Sequence, residues 1–383
     1  MNITAQSSLA KLLRRSRLLL IDEATMMHRY LLEALDRTLK DLMTKPNTPF
    51  GGKILILAGD FRQCLPVVQG ANEAQIIKSC LNNSKLWDKF TVFNLTDNMR
   101  VKASGDSRLE DFDTWTLSLG DGTANDDNNL VSIPESMRFH IQPNTDLDNI
   151  AEATSMKDFC NTVFPDLPTN YTNTGWMAGR SLLAPTNKEV DTINDIMETW
   201  VPGMATKLTS ADTLVDYQDV MRFTIEYLNT LCPTGFPRHI ITLKPGMPLM
   251  LLRNISPKDG LCNGTKLYFQ RALNNKLLLC TIAATQKEVL IPRIKFLPEA
   301  GQFPFDWARR QFPVRTAFAT TINKSQGQTL RRVGVWLQSP VFSHGQLYVA
   351  SSRTGDPAAL TFAIPHQTDH TANVVFKKVL LPH

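Results

Sequence analysis

Three short runs, LLLI at 18–21, ILIL at 54–57 and VGVWL at 333–337, contain no polar residue at all. A strand with one wet face alternates apolar and polar side chains, so such runs predict strands covered on both faces, the condition of parallel sheets flanked by helices. Helical stripes follow them. Leu32, Leu35, Leu39 and Leu42 recur at spacings of three and four after the first run. After RSLLAPT at 180–186, Thr186 and Glu189 form a capping-box signature ahead of Val190, Ile193, Met197 and Trp200. TVFNL at 91–95, TAFATT at 316–321 and LTFAI at 360–364 are expected as further buried strands. Strand and helix in alternation give an α/β class. GDGTANDDNN at 120–129 is read as a surface loop.

Between about 233 and 312 the texture changes. Short apolar runs (MPLMLLR, TKLYFQ, KLLLCTI, EVLIPRI) are parted by Gly, Pro and Asn-Asn turns, which predicts a small antiparallel barrel or sandwich inserted in the α/β part. With 383 residues, 43% of them apolar, the chain can bury more than one core. The net charge of +5 is compatible with a polyanionic partner but selects none. Six scattered cysteines without a CxxC pair fit reduced thiols in an intracellular protein. No apolar run approaches the roughly 20 residues of a bilayer span, so no membrane role is expected.

The chemistry concentrates where strands end. Asp22 and Glu23 close the first run at the carboxyl edge of the sheet, the ligand crevice of open α/β folds. There an acidic pair can hold Mg²⁺ and polarise an attacking water, although an ordinary exposed strand end reads the same. GDFRQCLPVV at 59–68 adds Asp60 and Gln63 at that edge, and Arg100 follows the third strand. TINKSQGQT at 321–329 offers many donors and a glycine between a strand and an expected helix, which suits contact with a phosphate. Arg353, in HGQLYVASSRT, can serve as an arginine finger across a domain cleft or simply answer a helix dipole.

Taken in order, IDEAT, GDFRQCLPV, LTDNMR, LLAPTN, LCNGTKL, TINKSQGQT and QLYVASSRT closely resemble the motifs of the petite-integration-frequency helicases, especially those of Helitron transposons. The resemblance runs from about residue 8 to about 365. It implies two RecA-like parallel-sheet domains, the first truncated at its N-terminus, with a small β-barrel inserted in the second. The corresponding bounds are 1–101 for the first, 102–232 with 312–383 for the second, and 233–311 for the barrel. The reaction implied is ATP-dependent, 5′-to-3′ unwinding of DNA by a monomer. Glu23, Gln63, Arg100 and Arg353 match the catalytic positions, Asp22 the Mg²⁺ ligand, and Gln326 and Gly327 accompany Asp22 and Glu23 at ATP and Mg²⁺. Thr186, Asn187, Thr321, Lys324 and Ser325 match the track for single-stranded DNA at forks. Relatives serve repair, recombination, telomere maintenance, mitochondrial DNA and transposition, in nucleus or mitochondrion, and no residue chooses among these.

One motif is missing. No GxxxxGK[ST] occurs, and only 21 residues precede Asp22, where the family places the phosphate loop. Ser351 also stands where the resemblance expects leucine. Without the loop's N–H groups, lysine and hydroxyl, ATP binding by these residues alone is expected to be very weak. The first 100 residues are expected to expose apolar faces and to aggregate. Two further readings compete: a catalytically dead transposon remnant that only binds single-stranded DNA, and a metal-dependent hydrolase built on Asp22, Glu23 and Asp60.

Overall fold

The computed structural model describes residues 3–99, 105–142, 150–215, 222–299 and 301–380. They divide into two compact units. One comprises Met1–Arg138, Ser325–Thr329 and Leu337–His383; the other comprises Phe139–Lys324 and Leu330–Trp336. The chain therefore passes from unit to unit at 138/139, 324/325, 329/330 and 336/337.

In the first unit, β1 (Leu18–Ile21) and β2 (Ile54–Leu57) pair in parallel, with Leu18 opposite Ile54 and Ile21 opposite Leu57. One face of this pair, carrying Leu19, Ile21, Leu55 and Leu57, packs on a core that includes Leu32, Leu39, Phe50, Phe61 and Leu65. Leu32 and Leu39 come from α1 (Arg29–Met43), the helix expected from its leucine spacing. The other face is bare. Leu18, Leu20, Ile54 and Ile56 are 49%, 64%, 63% and 45% exposed, so runs that read as doubly buried are covered on one side only. TVFNL is a larger departure: residues 91–98 form no strand, and Leu95 is fully exposed. An extended segment becomes a strand only beside a partner that takes its hydrogen bonds, and none of the described residues supplies one. A second helix, α2 (Ser107–Asp121), packs on Gln346–Ser351 in the same unit.

In the second unit, β3 (Arg180–Ala184) is flanked in parallel by β4 (Ala319–Thr321) and β5 (Arg332–Trp336), as the apolar runs predict. Between β3 and β4, α3 (Asn187–Trp200) starts at the expected capping box and buries Val190, Ile193 and Met197. Its buried Asn194 both donates to and accepts from the backbone of Ala319, at 3.2 and 2.9 Å, which fixes the helix against β4. No helix follows TINKSQGQT. Ile322–Ser325 is one 3₁₀ turn, and Gly327 at φ +76° takes a left-handed conformation that ends it.

The inserted region is antiparallel. Its main sheet runs Glu288–Pro292, Leu277–Ile282, Lys266–Leu273, Pro248–Leu251, Val314–Thr316 in spatial order, around a core containing Leu249, Leu267, Phe269 and Phe312. Beside it, Trp307–Gln311 lies between Ile294–Phe296 and Ala211–Leu214. There Arg309, fully buried, spans Asp212 and the carbonyls of Leu228, Leu231 and Pro237. No helix among the described residues is long and apolar enough to cross a membrane.

Candidate functional sites

In the first unit the ends of β1 and β2 are drawn together by backbone. Ala58 N donates to Ile21 O and Ala24 N to Ala58 O, at 2.9 and 2.8 Å. Gly59 permits this approach, because a Cβ there would lie 3.1 Å from Thr25. Past the strand end, Asp22 is exposed and accepts from the N–H of Glu23, whose φ of +51° is a strained value for a residue with a side chain.

The strain places the Glu23 carboxylate against a segment three hundred residues away. Gln326 Nε2 donates to Glu23 Oε2 at 2.7 Å, and a Cβ on Gly327 would lie 3.6 Å from Glu23 Oε1. The side-chain oxygens of Gln63 and Gln326 are both buried and find no hydrogen-bond donor among the described residues.

Arg353 closes the cluster, but not as an extended finger. Its guanidinium is buried and donates to the carbonyls of Val349, Ser325 and Gln328 at 2.7, 3.3 and 3.0 Å. Burial lowers its proton affinity, opposed by the negative field of Glu23. Ser325, expected on the DNA track, is fully buried here with these residues. Arg100 lies outside the described residues.

Several residues of this cluster escaped the sequence reading. Tyr348 donates its hydroxyl to Asp60 Oδ2 at 2.8 Å, and Arg62 pairs with Asp121 at 2.6 Å. Burial works against the Arg62 charge, yet Asp121 and Asp60 outweigh it and the guanidinium's pKa is raised. His344, fully buried, accepts from Phe376 N at Nδ1, so Nε2 carries the proton and donates to Phe61 O at 2.7 Å. Burial lowers its pKa. Burial also pushes the neighbouring Cys64 thiol up to about 12, which leaves it inert at neutral pH.

In the second unit, Asn187 and Lys324 line a cavity of about 550 Å³ together with Asp191, Asp195, Arg238 and Arg315. Thr186 stands at its edge, half-buried, its hydroxyl donated to Glu189 Oε2 at 2.7 Å, and Thr321 is buried at the end of β4. Arg315 pairs with Asp191 at 2.6 Å, and Arg238 with Asp195 at 2.5 Å. Desolvation, with Arg315 nearby, lowers the pKa of Lys324. Thus Thr186, Asn187, Thr321 and Lys324 belong to one unit, and Asp22, Glu23, Gln63, Gln326, Gly327 and Arg353 to the other. Among the described residues no group of three or more His, Cys, Asp or Glu could hold a metal ion.

Known proteins carry the same pattern. The family model for PIF1-like helicase matches residues 1–130, and that for the 2B domain of DNA helicase Pif1 matches residues 226–270. The chain is 25% identical to ATP-dependent DNA helicase PIF1 of Xenopus laevis over 338 residues, covering 88% of this chain and 44% of that one. To ATP-dependent DNA helicase Pif1 of Campylobacter jejuni it is 26% identical over 366 residues, covering 92% and 71%. It thus spans less than half the length of the Xenopus relative. The crystal structure of Pif1 helicase from Candida albicans superposes with a TM-score of 0.62 at 26% identity, over 97% of this chain and 76% of that one. The Bacteroides Pif1 helicase in complex with ADP-AlF3 and single-stranded DNA, 17% identical with a TM-score of 0.60 over 98% and 75%, shares the fold. Motif order, two family models covering different segments and this RecA-like fold together make the chain similar to the Pif1-like helicases.

Proposed function

We propose that this chain is the greater part of the motor of an ATP-dependent DNA helicase. The observation that carries the reading is the hydrogen bond from Gln326 to Glu23. It joins the first and the sixth of seven ordered motifs within one unit, beside the orphaned acceptor of Gln63 and the anchored Arg353. Glu23 serves as the base that polarises the attacking water, and the free acceptor of Gln63 orients that water. Asp22 contributes to Mg²⁺, and ATP with Mg²⁺ supplies the phosphoryl group and the charge that its transfer requires. Arg353 acts by holding the Ser325–Thr329 segment, and through it Gln326, and Arg100 is the remaining candidate to face the terminal phosphate.

The same reading divides the work along the chain: ATPase functions at 1–101, DNA binding at 102–232 and 312–383, and a small barrel at 233–311. Single-stranded DNA, reached at forks, runs along Thr186, Asn187, Thr321 and Lys324, with 5′-to-3′ polarity, in a monomer working in the nucleus or mitochondrion. The phosphate loop comes from sequence beyond these 383 residues. Support for that comes from the bare face of β1 and β2, whose four exposed aliphatic side chains suit cover by a further α/β unit.

The test is DNA-stimulated ATP hydrolysis by this chain joined to a segment that carries a phosphate loop, with Glu23→Gln as its control. Turnover that the substitution abolishes supports the motor. Salt-sensitive DNA binding without any turnover overturns the motor reading and leaves a chain that only binds single strands.

A further inference from the structure

The parallel strands of the second unit have two ends, and the DNA track just proposed uses one of them. At the other, where β3 and β5 begin, Arg332 sits directly opposite Arg180 in the pairing register, with exposed Arg331 beside it. The backbone N–H groups of Arg331 and Arg332 both donate to Gly179 O, at 2.7 and 3.0 Å, which pins the two arginines at this edge. Lys266 reaches the same place and donates to Arg180 O at 3.4 Å. None of these four cations joins an ion pair among the described residues; the Arg180 guanidinium donates only to the carbonyls of Val163 and Trp176, at 3.1 and 2.9 Å. Three other arginines of the unit are answered, Arg238 by Asp195, Arg315 by Asp191 and Arg309 by Asp212. Like charges side by side on neighbouring strands cost stability, so an unanswered cluster calls for a polyanion to offset it.

The aromatic partner narrows the class. Half-buried Trp176 lies under Arg180, 4.1 Å from ring centroid to guanidinium carbon. Guanidiniums that grip phosphate in a fork, beside an indole on which a base can stack, make up the binding chemistry of nucleic-acid backbones. Strands of this length rise roughly 15 Å, so this edge is separate from the Thr186–Lys324 edge.

We propose that Arg180, Arg331, Arg332 and Lys266, with Trp176, form a second nucleic-acid backbone site on the opposite sheet edge from the track, engaged only by strands long enough to reach both. The inference rests on the reading of this unit as a DNA-binding half, and its test is arranged so that the two fail separately.

Binding would be followed by fluorescence anisotropy across a salt series, with single strands of about 10 nucleotides, within the span of one site, and of about 40. The variants are Arg331→Gln/Arg332→Gln and Arg331→Glu/Arg332→Glu, both in exposed or half-exposed side chains, with melting curves matched to the parent. The expected result is a loss of about tenfold or more for the long strand with the reversed pair, and a salt slope shallower by about 1.4 with the neutral pair, at about 0.7 per lost phosphate contact. The short strand is expected to bind as before. Equal losses for both lengths, or none for either, overturn the proposal. So does a polyglutamate peptide whose binding is lost in the reversed pair while DNA binding stands, which assigns the patch to an acidic protein. Lys324→Ala reports on the track: if it leaves short-strand binding intact, the track reading fails and the second site is judged on the long strand alone.

Discussion

Arg353 shows how far a residue's place can differ from the role its type suggests. A guanidinium near a helix end was legible as a phosphate partner; that it spends its donors on Val349, Ser325 and Gln328 was not, because those carbonyls belong to backbone turns that no local pattern announces. Arg353→Ala should therefore destabilise the chain by about 3 kcal/mol, removing three buried hydrogen bonds at once, and denaturant melts check this. A stability change near zero would mean that the arginine is free to act elsewhere. His344 makes a second prediction at this scale. Its folded pKa lies below the unfolded value of about 6.5, so the unfolded chain takes up the proton first. The stability it lends is full above that value and drains as pH falls toward the folded pKa. Melting temperature should drop between about pH 7.5 and 5.5, and His344→Asn, which cannot titrate, should flatten the drop. The pairing of Glu23 with Gln326 was beyond local reading for the same reason as Arg353, since 303 residues separate the two.

Elements were legible where their cause is local. The Thr186–Glu189 capping box gave α3 its start and the stripe behind it the buried face, because both signals lie within the helix's own residues. Thr186→Ala should cost about 1 kcal/mol in stability by the same measurement. TVFNL failed as a strand for the opposite reason: its residues suit a strand, but pairing is a property of two segments. The helix Gln346–Ser351 begins at Gly345, φ +73°, where a Cβ would lie 2.6 Å from the carbonyl carbon of Gln63. Gly345→Ala should thus cost more than about 2 kcal/mol and displace Gln63, which a loss of turnover in the loop-bearing fusion would register. Retained stability would show that the Gln63 turn gives way easily.

At the scale of the molecule, the α/β class and an antiparallel insertion were readable from periodicity, whereas the half-bare state of β1 and β2 was not, since apolar runs look alike with one face covered or two. That face gives a prediction about the whole chain in solution. Leu20→Lys with Ile56→Lys should reduce light scattering at concentrations where the parent self-associates, with the melting temperature little changed. Unchanged scattering would place the sticky surface elsewhere.

The last three of the four passages of the chain between units, at 324/325, 329/330 and 336/337, work like stitches through two pieces of cloth. Neither piece can be cut out along a single line. A fragment spanning 139–324 would lack β5, the strand beside β3, and one ending before 325 would leave Glu23 without Gln326. Truncation is thus the wrong tool for dissecting this protein, and point substitutions within each unit are the right one.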